Sequence, residues 1–210
     1  MEALYRTFSR RIKPLKEILI YLRKYQESLY LKYVDQIVLA NIPMSNRPYA
    51  RSGVPIKIIE NFPEKKYLNT RSGQNKKTRS IVYHGHLGPE RGIKDLVEAM
   101  EHIKTVQPDI TLSLIGSFRT KNFHREILNM IYKLDLGNNI FLIDQVAHSK
   151  IWKILSRHSV GVIPFKKTPL TEENTPTKLF EMMASGLEIV ATKLLPIQNF
   201  VDDSVHWAIP

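Results

Sequence analysis

Two short stretches carry the residue types best suited to chemistry. The first runs Glu173-Asn174-Thr175-Pro176-Thr177-Lys178-Leu179-Phe180-Glu181 and closes with Met182-Met183-Ala184-Ser185-Gly186. Thr175 is a favourable N-cap and Pro176 a favourable first helical residue, so the spacing predicts a helix over Pro176–Ser185. The start of such a helix presents backbone N–H groups that attract anions. Lys178 in the first turn works against the helix dipole at a cost of about 0.3–1 kcal/mol, and a bound diphosphate would remove that conflict. Glu181, one turn further on, can accept two hydroxyl hydrogen bonds from a ribose, while Glu173 sits in the loop before the helix. An ordinary capped helix with solvated charges would carry the same residues, and the stretch by itself leaves both readings open.

The second stretch is His84-Gly85-His86-Leu87-Gly88-Pro89-Glu90-Arg91-Gly92, which follows one strand-like run and opens a helical one. Glycines there let backbone approach a ligand, and the helix start favours phosphate. The Gly-x-Gly-x-x-Gly fingerprint of dinucleotide sites is absent, so a plain glycine-rich turn fits equally. His84 and His86 would share a face in a continuing strand, but two histidines with no third ligand nearby make a weak metal case. His148, just before a predicted helix, reads as a backbone cap rather than a base or ligand. Asp202-Asp203 reads as a solvated turn, and Trp152 and the methionines as core.

The elements around these stretches must hold them in place. Leu15, Ile18, Leu19, Leu22, Tyr25, Leu29 and Tyr33 recur at helical spacing and predict an amphipathic helix over residues 14–34. Short strands are expected at Gln36–Ala40 and Ile56–Glu60. Residues 62–79, with Pro63, Asn69, Ser72, Gly73 and Asn75 among lysines and arginines, read as a linker. From residue 79 the pattern alternates strictly. Strands are expected at Ser80–His84, Ile110–Ile115, Ile140–Ile143, Val160–Ile163 and Glu188–Ala191, with a last one beginning in Val205–Ile209. Helices are expected at Gly92–Thr105, through Phe123–Leu134, at Ser149–Ser156 and at Pro176–Ser185. Alternating short apolar strands and helices specify an α/β fold with a doubly wound parallel sheet, whose ligands bind outside the carboxyl ends of the strands.

Composition sets further bounds. The 210 residues are 43% hydrophobic and 24% charged, with no cysteine. Disulfides and thiolate metal sites are thereby excluded, and a reducing, cytoplasmic setting is the expectation. No apolar run approaches the roughly 20 residues that span a bilayer, and the N-terminus resembles neither a signal nor a transit peptide. The net charge is +11, and residues 1–80 hold 17 Lys/Arg against 6 Asp/Glu while the remainder is balanced. Such a block fits an anionic membrane surface, a nucleic acid or a phosphorylated substrate, and fits a merely solvated face equally. No basic stripe interleaved with stacking aromatics supports nucleic acid.

The stretch from Glu173 to Leu187 resembles the donor-site signature of retaining glycosyltransferases of the GT-B fold, the family called group 1 or family 4. Further pieces resemble that family in its own order: Glu60-Asn61-Phe62-Pro63, Gly85 to Gly92, Leu112-Ser113-Leu114-Ile115-Gly116, and Ile163-Pro164-Phe165. The resemblance spans about residues 20–204. It implies that residues 79–210 form the donor-binding, Rossmann-like half of a GT-B fold, that 63–78 link, and that 1–62 are the tail of an acceptor-type domain.

It also implies roles. Glu181 would bind the ribose and Glu173 the sugar hydroxyls. Arg91 and Lys178, with the amides near Thr177, would hold the diphosphate beside Gly85 and His86, and the backbone of Gln145 and Val146 would flank the base. The donor is a nucleoside-diphosphate sugar, and no cofactor or metal is expected. The family carries arginine where this chain has His86, so either turnover is slower or Lys178 compensates. By this resemblance only the tail of an acceptor domain is expected in these residues, with either a separate chain supplying the rest or the protein being a truncated module that binds nucleotide sugar without transferring it. The basic N-terminal segment is expected to meet an anionic membrane, peripherally and from the cytoplasmic side.

Overall fold

The computed structural model describes residues 13–40, 47–65, 79–168, 171–172, 174–201 and 203–209. Glu173, Asp202 and most of the expected linker lie outside the described residues, as does the Leu15 side chain. The chain divides into two compact units, one ending at Asn61 and one starting at Phe62.

In the first unit, helix α1 covers Lys13–Tyr30 and is prolonged by a 3-10 turn at Leu31–Tyr33. Strand β1, Ile37–Leu39, pairs in parallel with β2, Ile56–Ile58, so that Ile37 faces Ile56 and Leu39 faces Ile58. Between them a 3-10 turn at Pro48–Arg51 starts on its proline, whose fixed φ suits a first helical position. The apolar stripe read from the sequence lies on α1, yet Ile18, Leu22, Tyr25, Leu29 and Tyr33 are all exposed.

The second unit is built on six parallel strands: β3 Ser80–His84, β4 Thr111–Ile115, β5 Ile140–Ile143, β6 Val160–Ile163, β7 Glu188–Thr192 and β8 Val205–Ala208. Their order across the sheet is β5-β4-β3-β6-β7-β8. The helices between them are α2 Ile93–Val106, α3 Lys121–Lys133, α4 His148–Leu155, α5 Thr177–Ala184 and the short α6 Leu195–Gln198. Every residue of β3 is buried, as a central strand covered on both faces requires. Ile93, Val97 and Met100 of α2, Ile127 of α3, Trp152 and Leu155 of α4, and Leu179 and Met182 of α5 complete one core. Trp152 is therefore core, as expected. Phe62 packs at a tilt against Phe180 of α5 with ring centres 4.7 Å apart, and Phe200 closes the cluster at 5.1 Å from Phe180. The entry of the chain into this unit is thus pinned to the helix that carries Lys178 and Glu181.

The strand order reverses direction between β3 and β6. Parallel sheets of this kind bind their ligands in a crevice at such a switch point, beyond the carboxyl ends of the strands. The stretches following His84 and Ile163 both start at that crevice.

Candidate functional site

The first wall of the crevice is the turn after β3. Gly85 has φ +110° and turns the chain sharply, so the strand ends at His84. His84 is consequently buried and His86 exposed, and the two do not share a face as a continuing strand would have made them. The turn is tied to its neighbour: Gly85 N donates to Ile115 O and Leu87 N to Ser117 O, at 2.8 and 2.9 Å. The Tyr83 hydroxyl donates to His86 O at 2.9 Å. Gly92 then occupies the N-cap position of α2, with φ +67°. Lys166 N donates to Glu90 O at 3.1 Å and joins this wall to the loop after β6.

The second wall is the start of α5. The helix begins at Thr177, one residue later than expected, with Pro176 in the N-cap position and no side-chain cap. Thr175 is therefore not the cap. Proline's ring restricts the preceding residue to extended backbone, which holds Thr175 outside the helix. Thr177 is exposed at this helix start. The Lys178 Nζ lies 3.9 Å from the centre of the Tyr83 ring and 5.0 Å from that of Phe165. Arg91 places its guanidinium carbon 4.5 Å over the same Phe165 ring. Two basic side chains, one from the turn after β3 and one from the start of α5, therefore gather around one aromatic ring. Burial, and after it the Arg91 charge, hold the Lys178 ammonium well below its usual pKa, with the Glu181 carboxylate opposing. An anion bound here would relieve the repulsion between them. Glu90 Oε1 lies 2.9 Å from Arg119 Nη2 and 3.5 Å from Arg91 Nε, so Arg91 is also steadied from its own turn.

Glu181 is held more closely than its sequence position suggested. Its side chain is 11% exposed, and its Oε1 accepts a hydrogen bond from His148 Nε2 at 2.7 Å. Its Oε2 lies 3.2 Å from His84 Nε2, outside hydrogen-bond geometry. Burial, then Lys178 and His148, push the His84 pKa down to about 3, so this contact is made by a neutral ring. His148 is the first residue of α4, and its ring stands edge-on to Trp152. It is not the backbone cap expected of it: Ala147 is the N-cap residue, and the imidazole reaches across to Glu181 instead.

Beside these residues lies a cavity of about 220 Å³ lined by His84, Gly85, His86, Gln145, Val146 and His148, among others. The structure thus brings Gly85, His86, Gln145 and Val146 to one cavity, sets Glu181 behind its two histidines, and places Arg91 and Lys178 on Phe165. Sequence reasoning missed His84 and His148 as partners of Glu181, and Tyr83 and Phe165 as platforms for the cations. Their only signal is position, since each lies at or just beyond the carboxyl end of a strand. Among the described residues no group of three or more His, Asp or Glu side chains is arranged to hold a metal ion.

Residues 65–208 match the family model of glycosyl transferases group 1. The chain belongs to that family. No curated protein matches it significantly. Among solved structures, several share its fold at low identity. A structure of Alr3699/HepE from Anabaena in complex with UDP and glucose superposes with a TM-score of 0.67 at 16% identity, over 87% of this chain and 51% of that one. The pneumococcal O-GlcNAc transferase GtfA in complex with UDP and GlcNAc gives 0.65 at 20%, over 85% and 34%. The C-terminal domain of a glycosyl transferase group 1 family protein, LpcC, from Francisella tularensis gives 0.56 at 19%, over 71% and 77%. The second unit accordingly has the Rossmann-like fold of a GT-B domain. The chain spans about half the length of the Anabaena protein and a third of the pneumococcal one.

Proposed function

We propose that the second unit binds a nucleoside-diphosphate sugar in the crevice between β3 and β6, as the donor-binding half of a glycosyltransferase that acts on an acceptor hydroxyl with retention. The observation that carries this is the convergence of Arg91 and Lys178 on Phe165 at the head of α5, with Glu181 one turn further along. A diphosphate set there meets two cations and the amides around Thr177, and its ribose falls toward Glu181. The base enters the cavity at Gln145 and Val146, beside Gly85 and His86. Glu173 takes the sugar hydroxyls, by its place in the family signature. The UDP found with the Anabaena and pneumococcal proteins supports the same class of ligand.

In the reaction so proposed, the bond from the anomeric carbon to the diphosphate oxygen breaks, the acceptor oxygen bonds to that carbon, and the acceptor hydroxyl's proton passes to the departing diphosphate. Negative charge grows on the departing diphosphate. Arg91, Lys178 and the α5 amides are in place before the reaction, so stabilising that charge needs little reorganisation. The first unit is proposed to serve the acceptor side, either alone or with a separate chain, and to meet an anionic membrane from the cytoplasmic side through its basic residues. A second reading, a module that binds donor without transferring it, is favoured by the fact that all the roles assigned above serve the donor.

Thermal unfolding with a panel of UDP-, GDP- and ADP-sugars tests the reading. A ligand that binds only the native state raises Tm as its concentration passes Kd. One of the three nucleotide classes should do so, and no shift with any of them at millimolar concentration would count decisively against donor binding. A radiolabelled-donor assay separates the two readings by whether sugar reaches an acceptor.

A further inference from the structure

Glu181 is a carboxylate with one oxygen hydrogen-bonded and the other in contact with a buried ring before any ligand arrives. The His148 Nε2 hydrogen bond takes one position on Oε1, and the His84 ring stands 3.2 Å from Oε2. An ionised carboxylate offers about four lone-pair sites. The His148 bond takes one of the two sites on Oε1, so each oxygen keeps at least one free site, which matches the two adjacent donors of a vicinal diol. The terminal torsion of a glutamate is otherwise broad, so a free carboxylate rotates and presents no fixed pair of acceptors. His148 removes that freedom from one side, and the buried His84 ring blocks rotation from the other. Both histidines also line the 220 Å³ cavity, so the carboxylate plane is set by the walls of the pocket that the nucleoside would enter. The two residues are far apart in the chain, one ending β3 and one starting α4, and only the strand order brings them to the same carboxylate.

We infer that His148 is a positioning residue that fixes the Glu181 carboxylate to receive the 2′- and 3′-hydroxyls of a ribose, and so sets the preference of the site for ribonucleotides. The inference rests on the donor-binding reading above. His148 itself need touch no ligand, because it acts through the orientation of Glu181. Its side chain is 64% exposed, so truncation leaves the core intact. Glutamine at 148 keeps an N–H donor of similar reach.

The test compares affinities of the full chain for ribonucleoside diphosphates and their 2′,3′-dideoxy counterparts, using the uridine, guanosine and adenosine pairs, in wild type, His148→Ala and His148→Gln. Wild type should prefer the ribo form of at least one pair. His148→Ala should lose affinity for that ribo form by on the order of tenfold, as for one hydrogen bond to a charged group, with little change for the dideoxy form. Its melting temperature should stay at the wild-type value, and His148→Gln should restore most of the preference. Wild type that binds none of the ribonucleotides contradicts the donor reading and takes this inference with it. Wild type that prefers the ribo form while His148→Ala keeps the same preference overturns the inference alone. Tighter ribonucleotide binding by His148→Ala also overturns it, because the imidazole would then be blocking Glu181.

Discussion

The carbonyl oxygen of Pro164 occupies the space into which a side chain on Gly92 would grow: a Cβ at Gly92 would lie 1.7 Å from it. This contact joins the turn after β3 to the loop after β6, and it is close because Gly92 adopts φ +67° and carries no side chain. The left-handed backbone alone costs a non-glycine residue roughly 1–2 kcal/mol, and displacing the Pro164 backbone adds to that. Gly92→Ala should therefore lower the urea midpoint clearly. Gly137→Ala, where a Cβ would meet nothing within 4 Å, should leave it nearly unchanged. Equal midpoints for the two variants would contradict the packing described.

The gathering of Arg91 and Lys178 on Phe165 predicts a division of binding energy. Arg91→Ala and Lys178→Ala should each weaken nucleoside-diphosphate binding on the order of tenfold to a hundredfold, while leaving nucleoside binding almost as it was. Calorimetry of both variants with a nucleoside and its diphosphate measures the difference. Equal losses for the two ligands would remove the diphosphate assignment.

Acid should destabilise the second unit partly through His84. Its pKa falls from the usual 6.5 to about 3 on folding, because burial, Lys178 and His148 disfavour the charged ring. Between those pH values the unfolded chain holds a proton that the native one does not. Stability from this group is complete above pH 6.5 and is lost, by about 1.4 kcal/mol per pH unit, as pH falls toward 3. Denaturant midpoints from pH 7.5 to 4.5 should drop more steeply for wild type than for His84→Asn. Parallel curves would show that His84 titrates alike in both states.

Most of the fold is legible in the sequence, and the reason is local. Ser80–His84, Ile140–Ile143 and Val160–Ile163 are short apolar runs between helical periods, and buried parallel strands have that composition. Arg91, Lys178 and Glu181 are legible as candidates because each follows a strand end. The start of α5 is displaced from Pro176 to Thr177 and its cap from Thr175 to Pro176, since the cap preference of threonine yields to the backbone restriction imposed by Pro176. The pairing of His148 with Glu181 is not legible. It depends on β5 and β6 lying on opposite sides of β3 and on α4 and α5 starting above the same strand ends, which no spacing along the chain encodes.

The first unit carries a prediction of its own. Lys24, Arg47 and Arg51 surround a cavity of about 510 Å³ beside α1, and Tyr21, Tyr25, Tyr30 and Tyr33 are exposed on or just after that helix. Among the described residues no helix is long and apolar enough to cross a membrane. Basic residues near a surface contribute about 1 kcal/mol each toward anionic lipid. The chain should co-sediment with vesicles containing phosphatidylserine at low salt, and be released from them at high salt. Binding that ignores lipid charge or salt would refute a surface role for these residues.

Donor binding at α5 is most directly tested by calorimetric titration of wild type and Glu181→Ala with UDP-, GDP- and ADP-sugars. Wild type should bind at least one of them. Glu181→Ala should lose on the order of 1.5–3 kcal/mol of that affinity, as expected when hydrogen bonds to a charged group are removed. No heat of binding from any of the three with wild type, or equal affinity in the variant, would contradict the account.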